Sequence, residues 1–383
     1  MKATVNPEML RWARNRAALT LDALASSMHV SADRIEGWEE SGELTLKQLE
    51  KLAKTTFTPV GYLFLNEPPV ETLPIPDLRT VGNRRVRRPS PNLLETIHLC
   101  QQRQAWYREF LRGDGVPARD FVGSVRVGAG IVKTAQAIRE ALNFDIDARR
   151  QAATWADALR MFIEQADAAG VLVMCSGVVR NNNRRKLDPE EFRGFAMTDP
   201  LAPLVFINGA DSKAAQMFTL AHELAHIWAG ESALSDIDGR VEPTHRIEQW
   251  CNQVAAEMLV PMTMLKAELN SQNGLEGEVS RLARYFKVST LVILLRIFES
   301  GAISRPMFQR AYEAELEKLR ARRKGSGGDF YLTQAVRVGK RFARALVADT
   351  LEGRTLYRDA FQLLGISKVD TLHELGRSLK FRV

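Results

Sequence analysis

The stretch Phe218-Thr219-Leu220-Ala221-His222-Glu223-Leu224-Ala225-His226-Ile227 decides how the chain reads. Its apolar residues make a helix suited to burial in a core. Residues four apart lie on one helix face, one turn above the other. His222 and His226 therefore present two imidazoles toward one point, and Glu223 flanks that point without needing to ligate. The chain has only six histidines, so two at this spacing around a glutamate are a specific signal. Two histidines and a glutamate on a buried helix also need partners. The arrangement is one in which a bound zinc acidifies water and the adjacent carboxylate takes the proton. We expect one Zn²⁺ per chain on His222 and His226. Glu223 is the expected general base, later returning its proton to the leaving amine.

The third ligand must come from elsewhere, because the position six residues after His226 is Ser232. Glu248 is the candidate. It lies on an amphipathic helix with Ile247, Trp250, Cys251, Val254, Ala255, Met258 and Leu259 on its apolar positions. Asn252, one turn on, is placed to bond an imidazole N–H. Glu257, Asp236, Asp238 and His245 are rivals. Amide hydrolysis also needs an oxyanion stabiliser, for which His245 and Arg246 are candidates.

The run Phe218 to His226, followed by Glu248-Gln249-Trp250-Cys251-Asn252-Gln253-Val254-Ala255-Ala256-Glu257-Met258-Leu259-Val260-Pro261, resembles the ImmA/IrrE family of bacterial metallopeptidases. The resemblance implies Glu248 as third zinc ligand. It implies an endopeptidase that cuts a repressor in stress or phage responses. Two-domain members with an N-terminal helix-turn-helix resemble the chain more fully, including Pro74-Ile75-Pro76-Asp77 and the stretch Tyr331 to Leu375. Some such members look like toxins neutralised by a small antitoxin. The family fold also implies a free strand edge near Phe192 to Met197 that holds a peptide by strand addition.

Working outward, residues 1–68 read as a helical unit, with Pro7 opening a helix and Ser31 as an N-cap. Leu21 to Ala25, a turn, and Ser31 to Glu40 resemble an XRE-type helix-turn-helix, whose last helix enters the DNA major groove. Ser31 and Arg34 are the residues expected on DNA. Residues 69–91 read as a proline-rich basic linker, with Pro68, Pro69, Pro74 and Pro76 and then Arg84-Arg85-Val86-Arg87-Arg88. Residues 92–270 are the expected peptidase domain. It has helices over 92–112, 131–143 and 148–168, and strands over 170–179, 192–197 and 204–207. Residues 271–324 are a helical extension, and 325–383 a basic helical domain after Gly325-Ser326-Gly327-Gly328. The fold class is multidomain and mainly α with a small α+β part: a helix-turn-helix bundle, a zincin-like core, then helices.

Composition bounds the function classes. No run of 18 apolar residues exists, so no membrane span is expected. The first residues lack the apolar core of a signal peptide. Three scattered cysteines offer no disulfide framework, which fits a reducing cytoplasm. Residues 1–68 hold eight Lys/Arg and nine Asp/Glu, whereas 317–383 hold fifteen against seven. The expected DNA-reading unit is thus net acidic, and DNA affinity depends on cations. Operator binding, as a homodimer, and protein docking are both open for it. The basic C-terminal region is read as a solvated helix face or a site for nucleic acid or an acidic partner. Three readings follow: a zinc endopeptidase with a narrow protein substrate, a DNA-binding regulator whose peptidase-like domain is a sensor or scaffold, and a toxin paired with an antitoxin-like partner.

Overall fold

The computed structural model describes residues 2–78, 88–235, 245–321 and 330–381. The described chain is mainly helical with small sheets. It divides into two compact units: Met1–Pro74 with Arg87–Ile97, and Ile75–Val86 with His98–Val383.

The first unit opens with β1 (Lys2–Thr4), then α1 (Pro7–Arg16), α2 (Leu21–Met28), α3 (Ala32–Ser41), β2 (Glu43–Thr45) and α4 (Leu46–Thr55). Each helix starts where a short polar side chain accepts an orphan amide: Asn6, Thr20, Ser31 and Thr45 do so in turn. Strands β1 and β2 pair antiparallel. Met9, Leu10, Leu24, Ile35, Leu49 and Leu52 form the core. Arg14 and the buried Glu39 tie α1 to α3 through an ion pair of 2.6 Å.

In the second unit, α5 (Pro91–Gly113, in this unit from His98) leads to α6 (Ile131–Ala141), α7 (Ile146–Arg150) and α8 (Trp155–Ala169). The helix expected over 148–168 is broken here, because Thr154 caps a new start and accepts the Asp157 amide. Then come β3 (Leu172–Ser176), β4 (Gly194–Met197), β5 (Leu204–Asn208), α9 (Lys213–Ala229), β6 (Ala233–Ser235) and α10 (Arg246–Leu259). Four helices, α11 (Met262–Glu268), α12 (Leu275–Phe286), α13 (Thr290–Glu299) and α14 (Arg305–Ala321), extend the core. The chain ends on α15 (Phe330–Val338), α16 (Lys340–Leu351), α17 (Tyr357–Leu364) and α18 (Val369–Ser378). None of the described helices is long and apolar enough to cross a membrane.

The sheet order is β3-β5-β4-β6, with β3 parallel to β5 and the other pairs antiparallel. This corrects the expected free edge at Phe192–Met197. Strand β4 is interior, with β5 on one side and β6 on the other, and all four of its residues are buried. The sheet margin lies instead at β6, and it is not bare. Leu78 N–H donates to Leu234 O (3.1 Å) and Leu234 N–H donates to Pro76 O (2.9 Å), placing Asp77 opposite Leu234 in a parallel bridge. Part of the stretch expected as linker is therefore a sheet element, and Ile75 is buried. Proline permits this because the bridge uses the Pro76 carbonyl and needs no N–H from it.

At the opposite margin, Val173 N–H on β3 donates to the Asp167 carboxyl (3.4 Å). Gly339 packs so close to the Val173 carbonyl that a Cβ there would fall 3.0 Å from its oxygen. The segment Arg84 to Arg87 and the glycines 325–328 lie outside the described residues.

Candidate metal centre

Helix α9 is buried along its length from Gln216 to Trp228. Ser212 caps its start and Gly230, at φ +76°, ends it in the left-handed conformation that glycine tolerates. The Ile227 and Trp228 carbonyls accept from Gly123 and Val125 N–H at 3.1 Å each, and Phe121 stacks on Trp228. These contacts fix the helix end just beyond His226.

Helix α10 packs across α9 and is held at its own end by arginines. Arg139 donates to Glu257 O (3.0 Å), Arg149 to Leu259 O, and Arg296 to Val260 O (3.0 Å). Cations there complement the helix dipole and satisfy its last carbonyls.

Between the helices three donors converge. Glu248 Oε2 lies 3.2 Å from His222 Nε2, and Glu248 Oε1 lies 3.0 Å from His226 Nε2. The two Nε2 atoms are 3.1 Å apart. Among the described residues, His222, His226 and Glu248 are the group of His, Cys, Asp and Glu whose ligand atoms meet in this way. His222 and His226 are 0% exposed and Glu248 2%. His222 Nδ1 sits 2.9 Å from Asn252 Oδ1. An amide oxygen only accepts, so the Nδ1 carries the proton and the Nε2 lone pair faces the shared point.

The electrostatics split the two carboxylates. Burial alone would raise Glu248, but the two imidazoles against it outweigh burial and hold it well below the ordinary carboxylate range. Burial, and then the neighbouring Glu248, push Glu223 well above that range. Burial also lowers His226, against the Glu248 hydrogen bond, so its imidazole favours the neutral, ligating form. His226 Nδ1 and both Glu223 oxygens are buried without a partner inside ordinary hydrogen-bond distance, although the nearby Ser235 hydroxyl opposes the rise at Glu223. Lone pairs on two nitrogens and a carboxylate, spaced near the ~3.3 Å of ligands around a tetrahedral zinc, fit a divalent cation.

Two residues at the site carry no motif. Gly194 on β4 faces Glu223: a Cβ there would fall 3.1 Å from Glu223 Oε1 and 2.5 Å from Thr219 Cγ2. Its signal in the sequence is a glycine opening the apolar strand Gly194–Met197, which can mark close approach. Ser235 on β6 lies 3.5 Å, Oγ to Oε1, from Glu248. It follows α9 too closely and in too short a strand to be read.

The other candidates fall elsewhere. Glu257 is engaged by the buried Arg296 and by Met262 N–H (3.2 Å). Asp236 and Asp238 lie outside the described residues. His245 and Arg246 are exposed at the start of α10, and His245 is not among the convergent donors. In the first unit, Ser31 caps α3 through the Arg34 amide (3.3 Å), and the Arg34 guanidinium sits over Trp38, 5.9 Å from its centroid. The exposed side of α3 carries Asp33, Glu36 and Glu40. In the C-terminal region Phe342 is core, Lys340 pairs with Glu164 (2.7 Å), and Arg341 donates to Asp167 O (2.6 Å). The three cysteines are buried and unpaired.

Comparison with known families adds two matches. Residues 338–378 match a domain family of unknown function. No curated protein and no solved structure matches the chain. Residues 166–298, which carry His222, Glu223, His226 and Glu248, match the peptidase M78 family model, and that segment is thus similar to the IrrE N-terminal-like domain of metallopeptidases.

Proposed function

We propose that this chain is a zinc-dependent endopeptidase with a specific protein substrate. The observation that carries the reading is the convergence of His222, His226 and Glu248 on one buried point, with the buried Glu223 carboxyl beside it. His222, His226 and Glu248 would hold the ion. Bound zinc supplies Lewis acidity that polarises a scissile carbonyl and eases the ionisation of water. Glu223 accepts the proton released and hands it to the leaving nitrogen. The two imidazoles that hold Glu248 ionised suit it to ligation. Asn252 keeps His222 in the ligating tautomer. His245, exposed at the α10 start, is the proposed oxyanion stabiliser, with Arg246 as its rival.

We infer that the substrate is a transcriptional repressor or a cognate partner, cut in a cytoplasmic stress, phage or toxin–antitoxin response. Helices α1–α4 are read as an XRE-type helix-turn-helix. The exposed acids of α3 favour docking on a protein over tight hold on DNA phosphates.

The test is elemental analysis of the purified protein beside His222→Ala, Glu223→Gln and Glu248→Ala. About one zinc per chain is expected by the stoichiometry of such sites, kept in Glu223→Gln and lost in the other two. No metal in the unaltered protein, after zinc is offered, would move the weight to a regulator with a peptidase-like scaffold.

A further inference from the structure

Strand β6 runs directly out of α9 and brings Ser235 to Glu248. Its inner side pairs with β4, whose Gly194 touches Glu223. Its outer side is the one sheet margin near the convergent donors. The other margin, β3, lies three strand spacings away, roughly 14 Å, and is closed by Asp167 and Gly339. An extended peptide joins a sheet through main-chain hydrogen bonds at a margin. At β6 the outward N–H and carbonyl of Leu234 are already taken by Pro76 and Leu78.

We propose that the outer edge of β6 is the peptide-docking strand of the metal centre, and that residues 76–78 occupy it as a built-in competitor. The inference deepens the peptidase reading and rests on it. The docked ligand is an extended polypeptide main chain, for which the parallel bridge at Asp77–Leu234 is the stand-in. Three further observations agree. Ile75, buried beside the bridge, anchors the segment. His222, Glu223 and His226 are 0% exposed, so a polypeptide reaches them only after something moves. The segment also follows directly on Pro74, the end of the first unit's long segment. A tethered competitor acts at an effective concentration on the order of mM, which only a strong or numerous substrate overcomes.

The test uses a fluorescent peptide copying residues 73–79, titrated onto zinc-loaded full-length Glu223→Gln protein, which leaves the peptide uncut. Two added substitutions open the edge by different means. Leu78→Pro removes the N–H given to Leu234, and Ile75→Asp removes the buried anchor. Both should bind the peptide at least tenfold more tightly than the parent, with unlabelled casein competing. Equal affinity in all three overturns the proposal. Should the opened variants fail to fold, amide exchange in the unaltered protein decides. Leu78 and Leu234 must open at one common rate, faster than Phe195 and Phe206, and independent rates overturn the proposal. With Glu223 restored, tighter peptide binding without casein cleavage sinks the peptidase reading and leaves the docking edge standing. Cleavage that is equal in all chains, with no gain in binding, does the reverse.

Discussion

Gly194 and Glu223 face each other so closely that the glycine has no room for a side chain: a Cβ would lie 3.1 Å from the carboxylate and 2.9 Å from the Phe206 carbonyl. The carbonyl is backbone in the middle of the sheet and does not yield cheaply. Gly194→Ala should destabilise the fold by about 1–3 kcal/mol, the usual range for overpacking. It should also lower kcat more than zinc content. Denaturation, metal analysis and a peptidase assay on one preparation check this; unchanged kcat would mean that β4 does not position Glu223.

Asn252 holds the far nitrogen of His222. Asn252→Ala should weaken zinc binding by about 10–100-fold, the range for lost partners of metal-ligating histidines. Competition with a chelator of known affinity measures it. An Asn252→Asp chain, which keeps an acceptor, should hold zinc better than Asn252→Ala.

Arg296 bonds the Val260 carbonyl and pairs with Glu257, both side chains being buried. Arg296→Met leaves a buried carboxylate without its cation and should cost about 3–5 kcal/mol. The double variant Arg296→Met with Glu257→Gln should recover part of that loss. Urea denaturation of the three chains reads the coupling, and simple additivity would show that the pair does not act as a unit.

Asp167 supplies a pH dependence. Burial pushes its carboxyl up to about 7 from the ordinary 3.8, against the opposing Val173 amide, Arg341 and Lys340. The unfolded chain ionises it near 3.8, whereas the folded chain keeps the proton until about 7. Stability is therefore lost as pH rises across that window, by an amount on the order of a few kcal/mol. Asp167→Asn should flatten the slope between pH 4 and 7 and be the more stable chain at pH 8. Melting curves across pH check this, and parallel curves for the two proteins would refute it.

Much of the centre was legible because helix geometry is local. The four-residue spacing of His222 and His226 settles their shared face; patterning leaves Glu248 beside its rivals Glu257, Asp236, Asp238 and His245, and the family resemblance singles it out. What escaped is non-local. Nothing in Gly194-Phe195-Ala196-Met197 says which strands flank it, although its unbroken apolar character, all four residues buried, is that of an interior strand. Three residues, Ala233-Leu234-Ser235, are too few for a period to register. The prolines around Ile75 read as a linker because their composition says nothing of the carbonyl and amide that Pro76 and Leu78 turn toward Leu234. Several cations of the C-terminal region pair with neighbouring groups of the fold: Lys340 with Glu164, Arg354 with Asp349 (2.6 Å) and Arg337 with Asn181 (3.0 Å).

The close approach of Gly339 to the Val173 carbonyl covers part of the β3 margin. Exposed strand margins template edge-to-edge aggregation. A gene shortened before α15 would encode a chain with His222, Glu223, His226 and Glu248 intact and the β3 margin covered by Asp167 without Gly339. Removing the C-terminal helices is therefore expected to promote edge-to-edge pairing at that margin.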